Sequence, residues 1–450
     1  MRNRTTRTTK ILFGIAVFIV VGIGLYFLPP IHDKLAWRVD NLRMRIIYFF
    51  NPPENVVFIP AEQSRFTLTP GLSTSTPTPT PISTSQATPT ITSTPLPRAV
   101  TLDGVTFVDQ MNRWNYCGPA NLTMALKYLG WTGTRDDVGA VVKPGVNDSS
   151  QSFIQRSNTD VNVMPYELVD FVNEHTSYRA RYFYGGDPDL LKRLIAARFP
   201  IIAEKGTYQH SNITNKIEWV GHYAFTTGYD DARQAFVFQD SYTPDADIPK
   251  EQQGFNVTVS YADFINGWRA FNYVFIVAYS PERETELFKI LGSWLDDNWA
   301  AQHALEIAEQ ETQTLTDSAL FFAWFNKGTS YGLLTDYGNA ALAYDYAYTN
   351  VYPNLTDTPP RPARILWYQT GPYKAYYYTS RYQDVITLAD KTFLTIIAPR
   401  TLEESLFWRA RAEYALGETD AAVADMRQAL YYHPGFQSAL DVMAEWGATP

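Results

Sequence analysis

The run Thr67 to Pro97 is built almost wholly of Thr, Ser and Pro, with no charged residue. Such a stretch cannot bury a core, and its prolines hold it extended. It therefore divides the chain. Fewer than 70 residues precede it, and the segment worth folding starts near Val100. Six parts follow from that division: a short basic tail (1–10), an apolar helix (11–28), a juxtamembrane amphipathic segment (29–66), the Thr/Ser/Pro linker (67–98), a mixed domain (99–282) and a helical region (283–450).

Ile11 to Leu28 carries no charge and follows Arg2, Arg4, Arg7 and Lys10. As a helix it would be about 27 Å long at ~1.5 Å per residue, the length of a transmembrane span. Pro29, Pro30 and Ile31 follow where a signal peptide would have a small-residue cleavage site. The expectation is an uncleaved single-pass anchor. Basic residues are nearly balanced across the span, so charge alone leaves the orientation open. The Thr/Ser/Pro tract resembles the stalk of an exported protein, which places the bulk of the chain outside the cytoplasm. Leu35, Val39, Leu42, Ile46 and Phe49 form the apolar stripe of an amphipathic helix, lying either on a membrane surface or against the domain behind it.

The net charge is −9 and spread along the chain, which argues against a nucleic-acid partner. Between 99 and 282, helix signals (120–129, 166–173, 188–197) mix with strand signals (200–203, 223–228, 235–239, 273–278), an α+β pattern. From about Thr285 the strand signals stop. Trp324, Gly328, Tyr331, Tyr337, Ala340, Tyr344 and Ala347 fit the paired helices of a tetratricopeptide repeat. Ala410, Gly417, Ala422, Ala429 and Pro434 fit a second copy, with a degenerate one between 369 and 392. Repeats of this kind would offer a surface to a protein partner.

Cys117 is the single cysteine, so no intrachain disulfide can form. The turn-like Asn115-Tyr116 precedes it and the apolar run Ala120–Leu129 follows. That places the thiol at a helix start, where unpaired N–H groups and the helix dipole favour a thiolate. Pro119 suits the first turn. A nucleophile needs a base. His32 is juxtamembrane, His175 lies in a polar stretch, and His303 and His433 lie in the helical region. His210 sits in a polar loop, 208–212, and reads as solvated. His222 opens a strand that turns at Asp230–Arg233 and returns to Asp240. An unbroken hairpin would set His222 directly opposite Asp240, where a carboxylate can hold the imidazole tautomer. Gln110, seven residues before the cysteine, could donate to an oxyanion. The acidic group Asp240, Asp245 and Asp247 lacks the glycine and terminal Glu of a calcium loop, so Asp245 and Asp247 read as a solvated turn.

The segments Gln110…Asn-Tyr-Cys117-Gly-Pro-Ala, Gly221-His222-Tyr-Ala-Phe-Thr-Thr-Gly-Tyr-Asp-Asp231 and Phe238-Gln-Asp240-Ser resemble papain-like cysteine peptidases of the bacteriocin-processing, double-glycine-leader type, and more closely their stand-alone relatives. The resemblance spans about Val100 to Pro281. It implies Cys117 as nucleophile, His222 as base and acid, Asp240 as its orienter and Gln110 in an oxyanion hole, acting on a peptide or protein without metal or cofactor. No transporter segments follow the domain, so the leader substrate does not carry over. Two rivals stand beside this reading: a Cys-His-Asp acyltransferase or transglutaminase-like enzyme, and an inactive anchored scaffold.

Overall fold

The structure is a computed structural model that describes residues 2–50, 52, 58–60, 95–211, 216–245, 247–355, 361–396 and 402–450, without the side chains of 2–9, 29, 30, 33 and 34. Most of the Thr/Ser/Pro tract lies outside the described residues.

Seven strands make one antiparallel sheet: β1 (Ala99–Thr101), β2 (Arg179–Phe183), β3 (Ile201–His210), β4 (Ile217–Asp230), β5 (Ala235–Gln239), β6 (Val257–Ser260) and β7 (Phe275–Tyr279). Their order is β2-β7-β3-β4-β5-β6, with β1 paired to the end of β4. Gly221 to Tyr229 are buried without interruption, so both faces of β4 are covered, as happens where helices flank a central strand. The α+β expectation holds. Strands β3 and β4 run further than their apolar cores indicate, because Gln209, His210, Glu218 and His222 break the apolar pattern yet pair in the ladder.

Beyond the sheet the described chain is mainly helical. The helices Asp297–Thr314, Asp317–Leu333, Tyr337–Tyr346, Gly371–Tyr378, Tyr382–Leu394, Glu403–Ala415 and Thr419–Tyr432 follow one another, and each packs on the next. Gly328 faces the ring of Tyr344, and a Cβ there would come within 2.8 Å of it, so the small residue sets how closely two helices approach. The helical region is packed firmly on the sheet. Trp219 of β4 stacks on Phe271 and Phe322 at 6.0 and 5.5 Å between ring centres. Arg364 pairs with Glu218 of β4 at 2.7 Å, and Gln369 Nε2 donates to the Ala270 carbonyl at 2.6 Å.

The N-terminal segment forms two helices, Arg2–Tyr26 and Pro29–Phe50. Among the described residues no helix is long and apolar enough to cross a membrane, so the expected transmembrane span 11–28 is not found there. The first helix ends at Tyr26, so Phe27 and Leu28 of the expected span lie beyond it. Its apolar side chains are exposed, Phe18 at 79% and Val20 at 68%. The second helix docks on the sheet domain, with Ala36, Met44 and Tyr48 buried and Asp40 accepting from Trp114 Nε1 and Asn158 Nδ2, each at 2.8 Å. Of the apolar stripe, Leu35 is half-buried and Val39, Leu42, Ile46 and Phe49 are exposed, so of the stripe's two expected placements the one against the domain is not found.

Candidate active site

The helix Cys117–Tyr128 begins at the cysteine itself. Asn115 turns the chain into it at φ +48°, a left-handed conformation that Asn tolerates better than most residues. Its Nδ2 donates to the Val161 carbonyl at 2.7 Å, which ties the turn to a neighbouring loop. Tyr116 precedes the helix without a side-chain cap, so the first N–H groups are left for the sulfur. The helix buries Ala120, Leu122, Met124, Ala125 and Leu126, which fixes the cysteine, itself half-buried, on a rigid element at the wall of a cleft.

His222 lies in β4, is 2% exposed, and its Nε2 sits 2.9 Å from Asp240 Oδ1. The expected route to this contact is corrected. Phe225 pairs with Gln239, and a bulge shifts the register between Thr226 and Gly228. Asp240 therefore lies just past the end of β5 instead of directly opposite His222, and reaches the imidazole from there. The turn pairs Asp230 with Ala235, so it is centred between 232 and 233 and not near Asp231, and the bulge takes back only one residue of that shift. The carboxylate is held in place by the Tyr242 N–H at 2.9 Å.

The Cys117 thiol and the imidazole line the same cleft and act on each other's titration. With Nε2 committed to Asp240, Nδ1 is the nitrogen left for sulfur. Burial pushes the thiol up, but the hydrogen bond and charge of His222 and the N–H groups of Tyr223 and Gly118 outweigh it, so the thiol lies below its ordinary value. Burial pulls His222 down, and the charge and hydrogen bond of Asp240, with the thiol, overcome it and raise the imidazole to about 9. Burial pushes Asp240 up, and His222 and Lys205 bring it below the usual carboxylate range. These directions favour a thiolate beside an imidazolium. Glu204, buried nearby, is driven well above the carboxylate range by burial and by the cysteine's charge, so it adds no second anion.

Gln110 is 8% exposed and lines the cleft with Cys117 and His222. Its Oε1 accepts from Ser241 Oγ at 2.8 Å, which leaves Nε2 as the end free to meet an anion. Three residues of this site have no counterpart in the sequence reading. Asn121, fully buried, donates to the Cys117 and Tyr223 carbonyls at 2.9 Å and to Ser241 Oγ at 3.0 Å, and accepts from the Phe225 N–H at 2.8 Å. It joins the cysteine helix, the histidine strand and the residue after Asp240. A polar side chain in the apolar run 120–129 was the available signal. Arg364 and Tyr368, from the helical region, form a wall of the same cleft, and nothing in their local sequence points there. His210 is exposed at the end of β3, and Asp245 and Asp247 are exposed in a turn.

A thiol in this setting can attack an electrophilic carbonyl while the paired imidazole returns a proton to the leaving group. Residues 102–275 match the model of the Peptidase_C39 like family. The match supports a cysteine peptidase of the C39-like, papain-like α+β kind for this domain, which is under half of the chain. No curated protein matches. Among solved structures, a protein from Bacillus anthracis described as a C39-like peptidase is similar at 17% identity, covering 40% of this chain and 96% of its own, with a TM-score of 0.30. Xylellain, a cysteine protease from Xylella fastidiosa, is similar at 15% identity over 41% of this chain and 87% of its own, with a TM-score of 0.24.

Proposed function

We propose that the chain is a membrane-attached cysteine peptidase that hydrolyses peptide bonds with Cys117, His222 and Asp240, with Gln110 in its oxyanion hole. The observation that carries this reading is an imidazole with a carboxylate 2.9 Å away, in one cleft with a thiol at a helix start. Cys117 Sγ attacks the peptide carbonyl carbon. Gln110 Nε2 and the Cys117 backbone N–H receive the negative oxygen, and His222 gives its Nδ1 proton to the leaving amine. Water then attacks the thioester, passing a proton to His222, and the acid and free thiolate are released. Asp240 keeps the ring in one tautomer and orientation throughout.

Arg364 and Tyr368 make the helical region part of the substrate wall, and its repeat-like hairpins offer a surface for a protein partner. The exposed apolar residues between Ile11 and Leu28, followed by the exposed stripe Val39, Leu42, Ile46 and Phe49, support attachment to a membrane. The Thr/Ser/Pro tract supports placing the catalytic part outside the cytoplasm. The test compares peptides released by the full chain and by Cys117→Ala in a mixed peptide library. New termini are expected only with the intact thiol. Amide transfer to an added amine in preference to hydrolysis would replace the peptidase with an acyltransferase. Removal of residues 1–28 should release the protein from vesicles, and unchanged sedimentation with them would count against the anchor.

A further inference from the structure

A second polar cluster lies where the sheet domain meets the helical region. Asp160 comes from the loop before the helix Pro165–His175, Glu403 opens the helix Glu403–Ala415, and His433 caps the end of the helix Thr419–Tyr432. His433 Nδ1 lies 3.1 Å from Asp160 Oδ2 and 3.1 Å from Glu403 Oε1. Three ligand atoms, one from each residue, lie within 4.8 Å of one another, and all three residues are buried. A single Nδ1 proton cannot satisfy two carboxylates. Both oxygens of Asp160 and Oε2 of Glu403 have no hydrogen-bond partner, although each residue is only 1% exposed. Carboxylate oxygens held in an interior by ion-pair approaches alone, without a well-formed hydrogen bond, are costly unless a cation meets them fully. Lys143 covers part of Asp160, with Nζ 3.8 Å from Oδ1. Glu167 and Glu404 add two more carboxyls to the same interior.

We propose that Asp160, Glu403 and His433 bind a divalent metal ion, zinc being the one their chemistry fits. Imidazole nitrogen and carboxylate oxygen are its ordinary ligands, and tetrahedral zinc holds neighbouring ligand atoms about 3.4 Å apart, close to the two 3.1 Å separations here. The other ring nitrogen, Nε2, faces Glu167 Oε1 at 3.9 Å, the place of the carboxylate that orients a metal-bound histidine. The ion would clamp the helical region to the cleft wall. Asp160 is followed directly by Val161, whose carbonyl holds Asn115, and by Asn162 and Val163, which line the cleft beside Cys117.

The test uses the full chain, untagged and in detergent, carrying Cys117→Ala so that the catalytic thiol cannot take up zinc. Equilibrium dialysis against zinc chloride should give about one ion per chain, and zinc should raise Tm by roughly 5 °C over the chelated protein. Glu403→Gln keeps the side chain's size and should weaken binding by more than ~100-fold, while Glu167→Gln, outside the ligand set, should weaken it about tenfold. Circular dichroism matching that of the parent shows that each variant is folded. No zinc uptake, or uptake equal in the parent and a folded Glu403→Gln, overturns the proposal and leaves a cluster held by protons alone.

Discussion

The cluster at Cys117 and the cluster at Asp160 are both built on a buried histidine beside carboxylate, and are opposites in how those parts are satisfied. At His222 one ring nitrogen has a single carboxylate partner, and the Cys117 thiol lines the same cleft as the ring. At His433 one nitrogen is offered to two carboxylates at equal distance, and the cluster is closed from solvent. A histidine with a single acid can hold and pass a proton. A histidine outnumbered by acids has charge to gather. The residue types are alike, and the count of partners and the access to solvent decide which chemistry is open.

The comparison breaks most sharply at the nucleophile. Cys117→Ala should lower turnover by at least ~10⁴-fold, and full activity in that variant would end the enzyme reading. Asp240→Asn is next, with a fall in kcat of roughly 10²–10⁴-fold as the imidazole loses its tautomer and its stabilised charge. If His222 needed no partner, the rate would hardly move. Gln110→Ala should cost about 10²–10³-fold in kcat with little change in KM, and a pure KM effect would remove Gln110 from the oxyanion hole.

Alkylation of Cys117 by iodoacetamide gives a gentler test. The thiol lies below its ordinary value, so reactivity should persist to lower pH than for a free cysteine. The imidazolium partner is lost as pH rises through about 9, so acylation of a peptide substrate should fall there. The two steps belong to the coupled pair. An alkylation profile that simply tracks an ordinary thiol would sink the ion pair. The smallest expected effect is Arg364→Ala, which removes the partner of Glu218 and part of the cleft wall. KM should rise about tenfold, near 1.4 kcal/mol, with kcat held. An unchanged KM would detach the helical region from substrate binding.

The proposed catalytic groups could be named from the chain because each sits in a short, self-declaring context. Asn115-Tyr116 turns into an apolar helix at Cys117, and His222 and Asp240 close the two arms of one hairpin. The bulge near Thr227 was not legible, since a Thr-Thr-Gly strand gives no sign of where an extra residue will be absorbed. Asn121 was hidden by its own helix: one polar residue among apolar neighbours is ordinary until its four partners are seen around it. The second helix showed its apolar stripe clearly. The face buried against the domain, Ala36, Met44 and Tyr48, is chosen by what Trp114 and Asn158 present to it.

By itself the sequence determined the change from mixed structure to helices and which thiol, imidazole and carboxylate to propose, because these rest on composition and on contacts between near neighbours. Only the tertiary structure decided that Arg364 and Tyr368 close the cleft beside Cys117. It alone brought Asp160 together with Glu403 and His433. Residues hundreds of positions apart meet through the packing of Trp219, Phe271 and Phe322 between two regions, and no local periodicity records which faces that packing will join.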